Sequence, residues 1–261
     1  MGVRWTDCNT VCRMDLGISG KRAAVAAGTA GLGLGTAIAL AEAGCTVVVC
    51  GRDDKKLSSA VKTIGHGAEG FVCDVSTQAG GREFAVTATE MLGGIDILVA
   101  NGGGPPPGGF ESIDEALYLE ALQKNLLSVV GMCTVAIPAM RERRWGRVLA
   151  ITSSAVRQPS PTLILSNTAR SGVTAYLKTV SREVARDGVT VNTIQPGTHL
   201  TDRITQLFGP DPDATKMGIP AGFIGDPGDF GRIAAFMCSE SARFMTGVNL
   251  HIDGGVYPGL I

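Results

Sequence analysis

Three side chains in the second half of the chain could stabilise negative charge that develops on a substrate oxygen. They are the hydroxyls of Ser154 and Ser166 and the guanidinium of Arg170. Hydrogen-bond donors and a fixed positive charge stabilise an oxyanion electrostatically. A serine hydroxyl is a far weaker acid than a tyrosine, whose pKa is ~10, and an arginine effectively never deprotonates. The three residues therefore predict charge stabilisation without an evident general acid.

The elements that must position these residues follow a regular alternation. The predicted strands cover residues 23–26, 46–50, 70–73, 95–99, 148–152, 190–194 and 248–252, and the predicted helices cover residues 32–43, 53–64, 79–92, 112–141, 166–187 and 227–240. Largely apolar strands separated by helices predict a parallel sheet covered on both faces. The fold class is therefore α/β, with a doubly wound, seven-stranded parallel sheet and helices on both faces.

A glycine-rich segment, residues 25–33 (VAAGTAGLG), leads from the first predicted strand into the first predicted helix. Because Gly31 and Gly33 lack a Cβ, the backbone and the helix N-terminus can approach a pyrophosphate, whose charge the free N–H groups stabilise. The strand–turn–helix context makes this a prediction of dinucleotide binding. It also makes the predicted fold Rossmann-type.

The end of the second predicted strand indicates which dinucleotide is bound. Gly51 takes the position where NAD-binding proteins of this fold carry an acidic residue for the ribose hydroxyl, and Arg52 follows it. No carboxylate is present there to repel a 2′-phosphate, and an arginine can bind that phosphate bidentately. NADP(H) is therefore predicted in preference to NAD(H). The alternative is that Arg52 caps a surface turn.

An ordered set of motifs over residues 15–256 resembles the short-chain dehydrogenase/reductase (SDR) family. The glycine-rich loop is similar to Thr-Gly-x-x-x-Gly-x-Gly, with Ala26 and Ala27 in place of Thr and the first Gly. An alanine tolerates this turn only if its φ stays negative, which is the expectation for Ala27. The resemblance implies that these residues contact the cofactor: Ala27, Thr29, Ala30, Gly31, Leu32, Gly33, Arg52, Asp74, Val75, Asn101, Gly102, Gly103, Pro196, Gly197, His199 and Thr201.

The resemblance also assigns the catalytic positions. SDR enzymes typically use Asn, Ser, Tyr and Lys, and here Asn125 and Ser154 match the first two. Aligning residues 170–173 (RSGV) with the Lys-Ala-Gly-Leu type of sequence places Ser166 opposite the Tyr and Arg170 opposite the Lys. The predicted catalytic set is therefore Asn125, Ser154, Ser166 and Arg170. His199 could replace the missing acid, or only its backbone could contact the cofactor.

Three functions are consistent with these residues. The first is an NADP(H)-dependent oxidoreductase similar to the 3-oxoacyl-carrier-protein reductases, which would reduce a carbonyl or oxidise an alcohol. The second is reduction of a conjugated C=C bond, because the family's dienoyl-CoA reductases also place a serine at the tyrosine position. They keep the lysine, however, so Arg170 departs from that pattern. The third is an NADP-binding protein without catalytic activity.

Composition and charge exclude several other classes. The chain has 261 residues, 44% of them hydrophobic, and a net charge of −1, so we expect one catalytic domain over residues 14–261 and no basic surface for nucleic acid. Residues 23–41 carry no charge but are too rich in glycine and alanine for a membrane span. The seven cysteines are scattered, and five are expected to be buried, reduced thiols; no zinc or other metal site is predicted.

The remaining expectations concern location and assembly. Residues 1–13 carry no secretory signal and are predicted to be a disordered extension, so the protein is expected to be cytoplasmic. The expected partners are a small-molecule substrate and copies of the same chain, in a tetramer or dimer, and no membrane. The resemblance implies that the predicted helices 112–141 and 166–187 form the contact between copies.

Overall fold

The computed structural model describes residues 14–260, so the predicted N-terminal extension, residues 1–13, lies outside the described residues. Seven strands form one parallel sheet: β1 (Arg22–Val25), β2 (Thr46–Gly51), β3 (Glu69–Val72), β4 (Ile97–Ala100), β5 (Gly146–Ile151), β6 (Val189–Pro196) and β7 (Asn249–Ile252). Their order in the sheet is β3-β2-β1-β4-β5-β6-β7. The predicted doubly wound α/β fold is confirmed.

Eight α-helices connect and cover the strands: α1 (Gly31–Glu42), α2 (Asp54–Ile64), α3 (Gln78–Leu92), α4 (Ala116–Leu122), α5 (Ser128–Glu142), α6 (Ile164–Val184), α7 (Asp202–Phe208) and α8 (Pro227–Met237). One apolar cluster packs α1, α2 and α8 on one face of the sheet, and a second packs α3, α5 and α6 on the other. Five free cysteines, Cys45, Cys50, Cys73, Cys133 and Cys238, are buried as predicted.

The strand order reverses between β1 and β4, which are neighbours in the sheet but are separated in the chain by β2 and β3. Loops that leave the carboxyl ends of two such strands diverge to opposite faces, and the crevice between them is where doubly wound folds bind ligands. Here those loops are residues 26–30 and residues 101–115. The fold therefore places the glycine-rich segment and the loop after β4 at the same crevice.

The long helical segment after β4 differs from its prediction in two ways. It begins at Ala116 and not at residue 112, and a π-helical segment, Gln123–Leu127, interrupts it between α4 and α5. By length and composition alone the whole stretch Ala116–Glu142 could cross a membrane. Half of its most apolar window is buried in the protein, as expected for a core helix.

Helices α1 and α8 cross at a contact that only glycines permit. A Cβ added to Gly35 would collide with the carbonyl oxygen of Pro227, and one added to Gly231 would collide with the carbonyl oxygen of Gly35. Both colliding atoms belong to the backbone, which cannot rotate away. This contact fixes α1, and with it the glycine-rich loop, against the end of the sheet.

Replacing Gly35 by alanine should therefore lower the free energy of unfolding by about 1–3 kcal/mol, the usual cost of overpacking a well-packed core. Urea denaturation measures this change. Gly172→Ala is the matched control, because its Cβ would lie 3.3 Å from the flexible end of Leu126 and alanine favours a helix. Equal destabilisation by the two substitutions would contradict the proposed backbone contact.

Candidate functional site

The glycine-rich loop between β1 and α1 lies against the loop that follows β4. Asn101 donates a hydrogen bond from Nδ2 to the carbonyl oxygen of Ala27 over 3.1 Å. A Cβ added to Gly33 would lie 2.6 Å from Asn101 Nδ2 and 2.7 Å from the same carbonyl oxygen. Gly33 is therefore required by packing inside the loop itself, because any side chain there would displace Asn101.

Ala27 contradicts the expectation of a negative φ. Its φ is +47°, in the left-handed region that L-residues avoid at a cost of roughly 1–2 kcal/mol. Two contacts hold it there: the bond from Asn101 to its carbonyl oxygen, and its own N–H, which donates to Cys50 Sγ over 3.4 Å. The surrounding structure thus holds Ala27 in a left-handed conformation that an alanine does not prefer.

Ala27→Gly should raise the free energy of unfolding by about 0.5–1 kcal/mol, since glycine removes the left-handed strain while adding some freedom to the unfolded chain. The measurement is urea denaturation. The neighbouring Ala26 does not have a positive φ and is fully buried, so Ala26→Gly should destabilise the protein instead. If both glycine variants shifted stability in the same direction, the strain at Ala27 would be disproved.

The N-terminus of α1 differs from those of three other helices. The side chains of Asp53, Thr77 and Asp226 accept hydrogen bonds from the first turns of α2, α3 and α8, whereas Ala30, which precedes α1, provides no such cap. The uncapped N–H groups and the positive end of the helix dipole suit an anionic group. A cavity of about 260 Å³ opens beside this helix end, between α1, the start of α7 and α8.

The segment after β6 lies against the glycine-rich loop. The methyl group of Thr201 lies 3.1 Å from the position that a Cβ on Gly31 would take. Gly31 itself has a φ of +54°, which glycine adopts without strain. Pro196 ends β6, and the N–H of Gly197 donates to the carbonyl of Ile252 over 2.8 Å, which ties this segment to the end of β7.

The end of β2 presents an exposed arginine beside a glycine. A Cβ added to Gly51 would collide with the side chain of Thr29, so a larger residue at position 51 would have to displace that side chain. Arg52 is exposed, and no hydrogen bond or ion pair engages its guanidinium among residues 14–260. These features fit a nucleotide that carries a phosphate on its ribose.

Two predicted contact residues follow β3. Asp74 is exposed and accepts a hydrogen bond on Oδ1 from the N–H of Ser76 over 3.0 Å. Val75 packs into the hydrophobic core, with 7% of its surface exposed, so only its backbone faces the crevice side of the sheet. Their position at the carboxyl end of β3 agrees with a contact to the base of a dinucleotide.

Asn125 lies in the π-helical segment and holds the loop after β4. Its Nδ2 donates to the carbonyl oxygen of Gly103 over 3.1 Å, while its Oδ1 is buried with no hydrogen-bond partner among the described residues. A π-helical turn adds a residue to the helix and re-aims the side chains around it, and such turns are frequent at functional sites. The unpartnered Oδ1 marks a buried acceptor in the crevice.

The two serines after β5 have different roles in the structure. Ser153 accepts a hydrogen bond on Oγ from the N–H of Ala155 and so caps the short 3-10 helix Ser154–Val156. Ser154 is the first residue of that helix, is half-buried, and its hydroxyl has no hydrogen bond to another described residue. The Ser154 hydroxyl is therefore free to bind a ligand.

Ser166 and Arg170 lie on α6, one helical turn apart and on the same face. Ser166 is 8% exposed, and its hydroxyl also has no hydrogen-bond partner in the described chain. Arg170 donates from Nη1 to the carbonyl oxygens of Ile151 and Thr152 over 2.8 and 3.0 Å, which fixes its guanidinium at the carboxyl end of β5. The structure thus brings Ser166 and Arg170 to the strand end from which Ser154 emerges.

Burial lowers the pKa of Arg170 to about 10, and the positive charge of Arg203 contributes to the same shift. The group therefore still carries its charge at neutral pH. A narrow cavity between β4, β5 and α6 is lined by Arg170, Asn101, Gly102 and Asn125.

Sequence reasoning missed three residues around this cavity. Lys124 and Thr152 line it, and Arg203 of α7 approaches it from the other side through a hydrogen bond to the carbonyl of Pro105. The only feature of the sequence that could have indicated Lys124 is its position next to Asn125. Helix α7 itself was not predicted, and nothing in the spacing around Arg203 indicates a contact with the loop after β4.

His199 does not point toward the catalytic set. Its imidazole is 4% exposed, packs edge-on against Phe230 of α8 with ring centroids 5.2 Å apart, and covers Gly225. Burial lowers the pKa of His199, which keeps the ring neutral at physiological pH. Of the two possibilities for this residue, the structure supports the one in which only its backbone faces the cofactor crevice.

Comparison with known proteins identifies the family. A family model described as enoyl-(acyl carrier protein) reductase matches residues 26–257. The dehydrogenase/reductase SDR family member 4 of Homo sapiens is 30% identical over 244 residues, which cover 91% of this chain and 88% of that protein. The chain belongs to the short-chain dehydrogenase/reductase family. The predicted resemblance to this family is therefore confirmed.

Two further relatives are informative. The 3-oxoacyl-[acyl-carrier-protein] reductase of Vibrio cholerae is 29% identical over 242 residues, 93% of this chain and 99% of that protein. An NADPH-bound short-chain oxidoreductase of Pseudomonas aeruginosa, described as containing an atypical catalytic centre, superposes with a TM-score of 0.85 at 28% identity, covering 92% of this chain and 99% of that one. This SDR chain is thus similar to 3-oxoacyl reductases over nearly their full length.

Proposed function

We propose that this SDR protein is an NADP(H)-dependent oxidoreductase that reduces a carbonyl or oxidises the corresponding alcohol at an atypical catalytic site. The observation that carries the proposal is the free hydroxyl of Ser154, three residues beyond β5, together with the Arg170 guanidinium, which is hydrogen-bonded to the carboxyl end of the same strand. NADPH supplies a hydride when it is bound in that crevice. The similarity to 3-oxoacyl reductases supports a carbonyl as the acceptor.

In this proposal the chain's own residues bind the cofactor by charge and by close backbone approach. The uncapped N-terminus of α1 and Gly31 hold the pyrophosphate, Arg52 binds the 2′-phosphate, and Asp74 lies beside the base. The segment with Pro196, Gly197 and Thr201 holds the opposite end of the dinucleotide.

The proposed chemistry is electrostatic. Ser154 and Ser166 donate hydrogen bonds to the substrate oxygen, and Arg170 keeps a positive charge beside it because its pKa remains far above neutrality. Ser166 takes the place of the tyrosine and Arg170 that of the lysine used by typical SDR enzymes. Neither residue releases a proton at neutral pH, so the alkoxide takes its proton from water. A general acid contributes about 10²–10⁴-fold, so we expect slow turnover.

Cofactor choice tests the binding half of this proposal. We expect NADPH to bind at least about tenfold more tightly than NADH, and Arg52→Gln to remove most of that difference, because a charge-assisted hydrogen bond contributes about 1.5–3 kcal/mol. Fluorescence titration of the bound nicotinamide measures both constants. Arg82→Gln on the exposed face of α3 is the matched loss of one positive charge. Equal affinity for the two nucleotides in the unsubstituted protein would contradict the proposal.

A second candidate is reduction of a conjugated C=C bond. One observation favours it: the matching family model is described as an enoyl reductase. A paired screen of saturated ketones and enones with NADPH separates the two reactions. Turnover of enones alone would replace carbonyl reduction by this second function.

The arrangement of the chain leads to three further proposals. Residues 14–261 form one catalytic domain, since no linker divides the motifs that build the site. The protein works in the cytoplasm, which the reduced state of its five buried cysteines supports. It assembles into a tetramer or dimer through α4, α5 and α6, which sedimentation of the purified protein tests directly.

A further inference from the structure

Three cations surround the catalytic crevice without a balancing carboxylate. Lys124 and Arg170 line the narrow cavity between β4, β5 and α6, and Arg203 approaches from α7. The other residues that line this cavity are uncharged. Among residues 14–260, none of these three cations forms an ion pair. Unpaired charges of one sign in a cleft favour a ligand of the opposite sign.

Arg203 lies against the loop that follows β4. It donates from Nη2 to the carbonyl oxygen of Pro105 over 3.2 Å, and its guanidinium packs directly on Gly104. Asn125 binds the carbonyl of Gly103, two residues earlier in the same loop. The loop after β4 therefore binds Asn125 and Arg203 through carbonyl oxygens two residues apart, so one short loop joins the guanidinium to a residue of the catalytic set.

The contacts leave most of the Arg203 guanidinium unused. A guanidinium has five N–H donors in a planar fork, and one hydrogen bond to Pro105 engages a single nitrogen. The residue is exposed at the mouth of the crevice, and Gly104 has no side chain to cover it. A carboxylate is the planar group that matches such a fork.

We propose that Arg203 binds a carboxylate of the substrate, so that the natural substrates are small oxo acids, or hydroxy acids in the reverse direction, with the carboxylate a few bonds from the reacting carbon. This inference rests on the proposed oxidoreductase function. Arg170 and Lys124 add a favourable field, while Arg203 is the specificity-determining contact. The competing occupant of Arg203 is the pyrophosphate of the cofactor, because Thr201, which contacts Gly31, lies only two residues away.

The test compares charged and uncharged probes of the same shape. Acetoacetate and methyl acetoacetate form one pair, and levulinate and methyl levulinate form a second with one more methylene. Calorimetry measures their binding to the protein loaded with NADP⁺, in which no hydride is available, and to the free protein. We expect at least one acid to bind about ten- to a hundredfold more tightly than its ester, the range for one charge-assisted bidentate contact.

The variants assign that preference to one residue. Arg203→Gln should bring the acid's affinity to that of its ester, Arg203→Lys should keep part of the preference as a point charge, and Arg82→Gln should leave it unchanged. Equal binding of acid and ester in both pairs overturns the proposal, and so does an Arg203→Gln variant that loses NADPH affinity while keeping its preference for the acid.

This experiment distinguishes failure of the proposed reduction from failure of carboxylate binding by Arg203. If NADPH reduces none of the four probes although an acid binds, carbonyl reduction of these oxo acids is disproved. The binding preference in the NADP⁺-loaded and free proteins still decides whether Arg203 holds a carboxylate.

Discussion

Ser154→Ala lowers kcat for NADPH-dependent carbonyl reduction by about 10²–10³-fold in this account, the usual cost of removing one donor to an oxyanion. The hydroxyl of Ser154 has no hydrogen bond to another described residue, so its removal leaves no protein group unpaired and the effect falls on the reaction. In the proposed mechanism this residue binds the substrate oxygen and not the nucleotide, so the Kd for NADPH should change less than about twofold. Steady-state kinetics and fluorescence titration give the two quantities.

The neighbouring serine provides the matched control. Ser153 caps the 3-10 helix Ser154–Val156 through the bond from Ala155 N to its Oγ. Ser153→Ala should therefore lower the free energy of unfolding by about 0.5–2 kcal/mol, the cost of a lost cap, and reduce kcat far less than Ser154→Ala does. If the two alanine variants had the same kinetics, Ser154 would not be the donor to the substrate oxygen.

The second large effect is a gain of activity. Replacing Ser166 by tyrosine and Arg170 by lysine together should raise kcat for carbonyl reduction by about 10²-fold or more, because a tyrosine assisted by a lysine would add the general acid that is missing in the proposed mechanism. Both positions lie on one face of α6, and Arg170 is bonded to the end of β5 from which the chain leads to Ser154. The double variant must be compared with each single variant, since the pair acts as a unit.

The pH dependence of kcat distinguishes a new general acid in the double variant from a change in packing alone. The pKa of Arg170 is lowered to about 10, so the group is protonated throughout pH 6–9 and kcat of the unsubstituted protein should be flat there with respect to this residue. Its positive charge is lost only as the pH rises through about 10. The double variant should instead show a titration within or near that range. A double variant with lower kcat and a flat profile would contradict the assignment of Ser166 and Arg170.

The sequence predicted the sheet well because its signals are local. The central strands β1, β2, β4 and β5 are short, largely buried apolar runs, and the structure places all seven strands within three residues of their predicted limits. The glycine-rich loop was equally accessible, since Gly31 occupies a left-handed turn at a fixed distance from β1. These features depend on residues that are neighbours in the chain.

The features that were missed depend on contacts across the fold. The positive φ of Ala27 is imposed by Asn101 and by Cys50, which are far from it in sequence, and an isolated alanine prefers a negative φ. The π-helical segment around Asn125 has an ordinary helical sequence, so packing and not propensity creates it. Arg203 became part of the site only because the short helix α7 lies against the loop after β4.

The side-chain direction of His199 also depends on contacts across the fold. Its position in the motif made a catalytic imidazole conceivable, but the direction of the side chain depends on Phe230 and Gly225 of a later segment. Burial against these residues lowers the pKa of His199 below its value in the unfolded chain, about 6.5. The folded protein is therefore destabilised relative to the unfolded chain as the pH falls below about 6.5, because the unfolded chain takes up a proton more readily. The residue contributes to stability above that pH.

The most direct test of the central claim, hydride transfer to a carbonyl at the site of Ser154, is a deuterium tracer experiment. NADPH carrying deuterium at the transferable position is incubated with the full chain and a panel of ketones, oxo acids and enones, and the products are analysed by mass spectrometry and NMR. We expect deuterium on the carbinol carbon of a reduced ketone or oxo acid, and a loss of this label with Ser154→Ala. Deuterium on the carbon of a former C=C bond, or no label in any product, would contradict it.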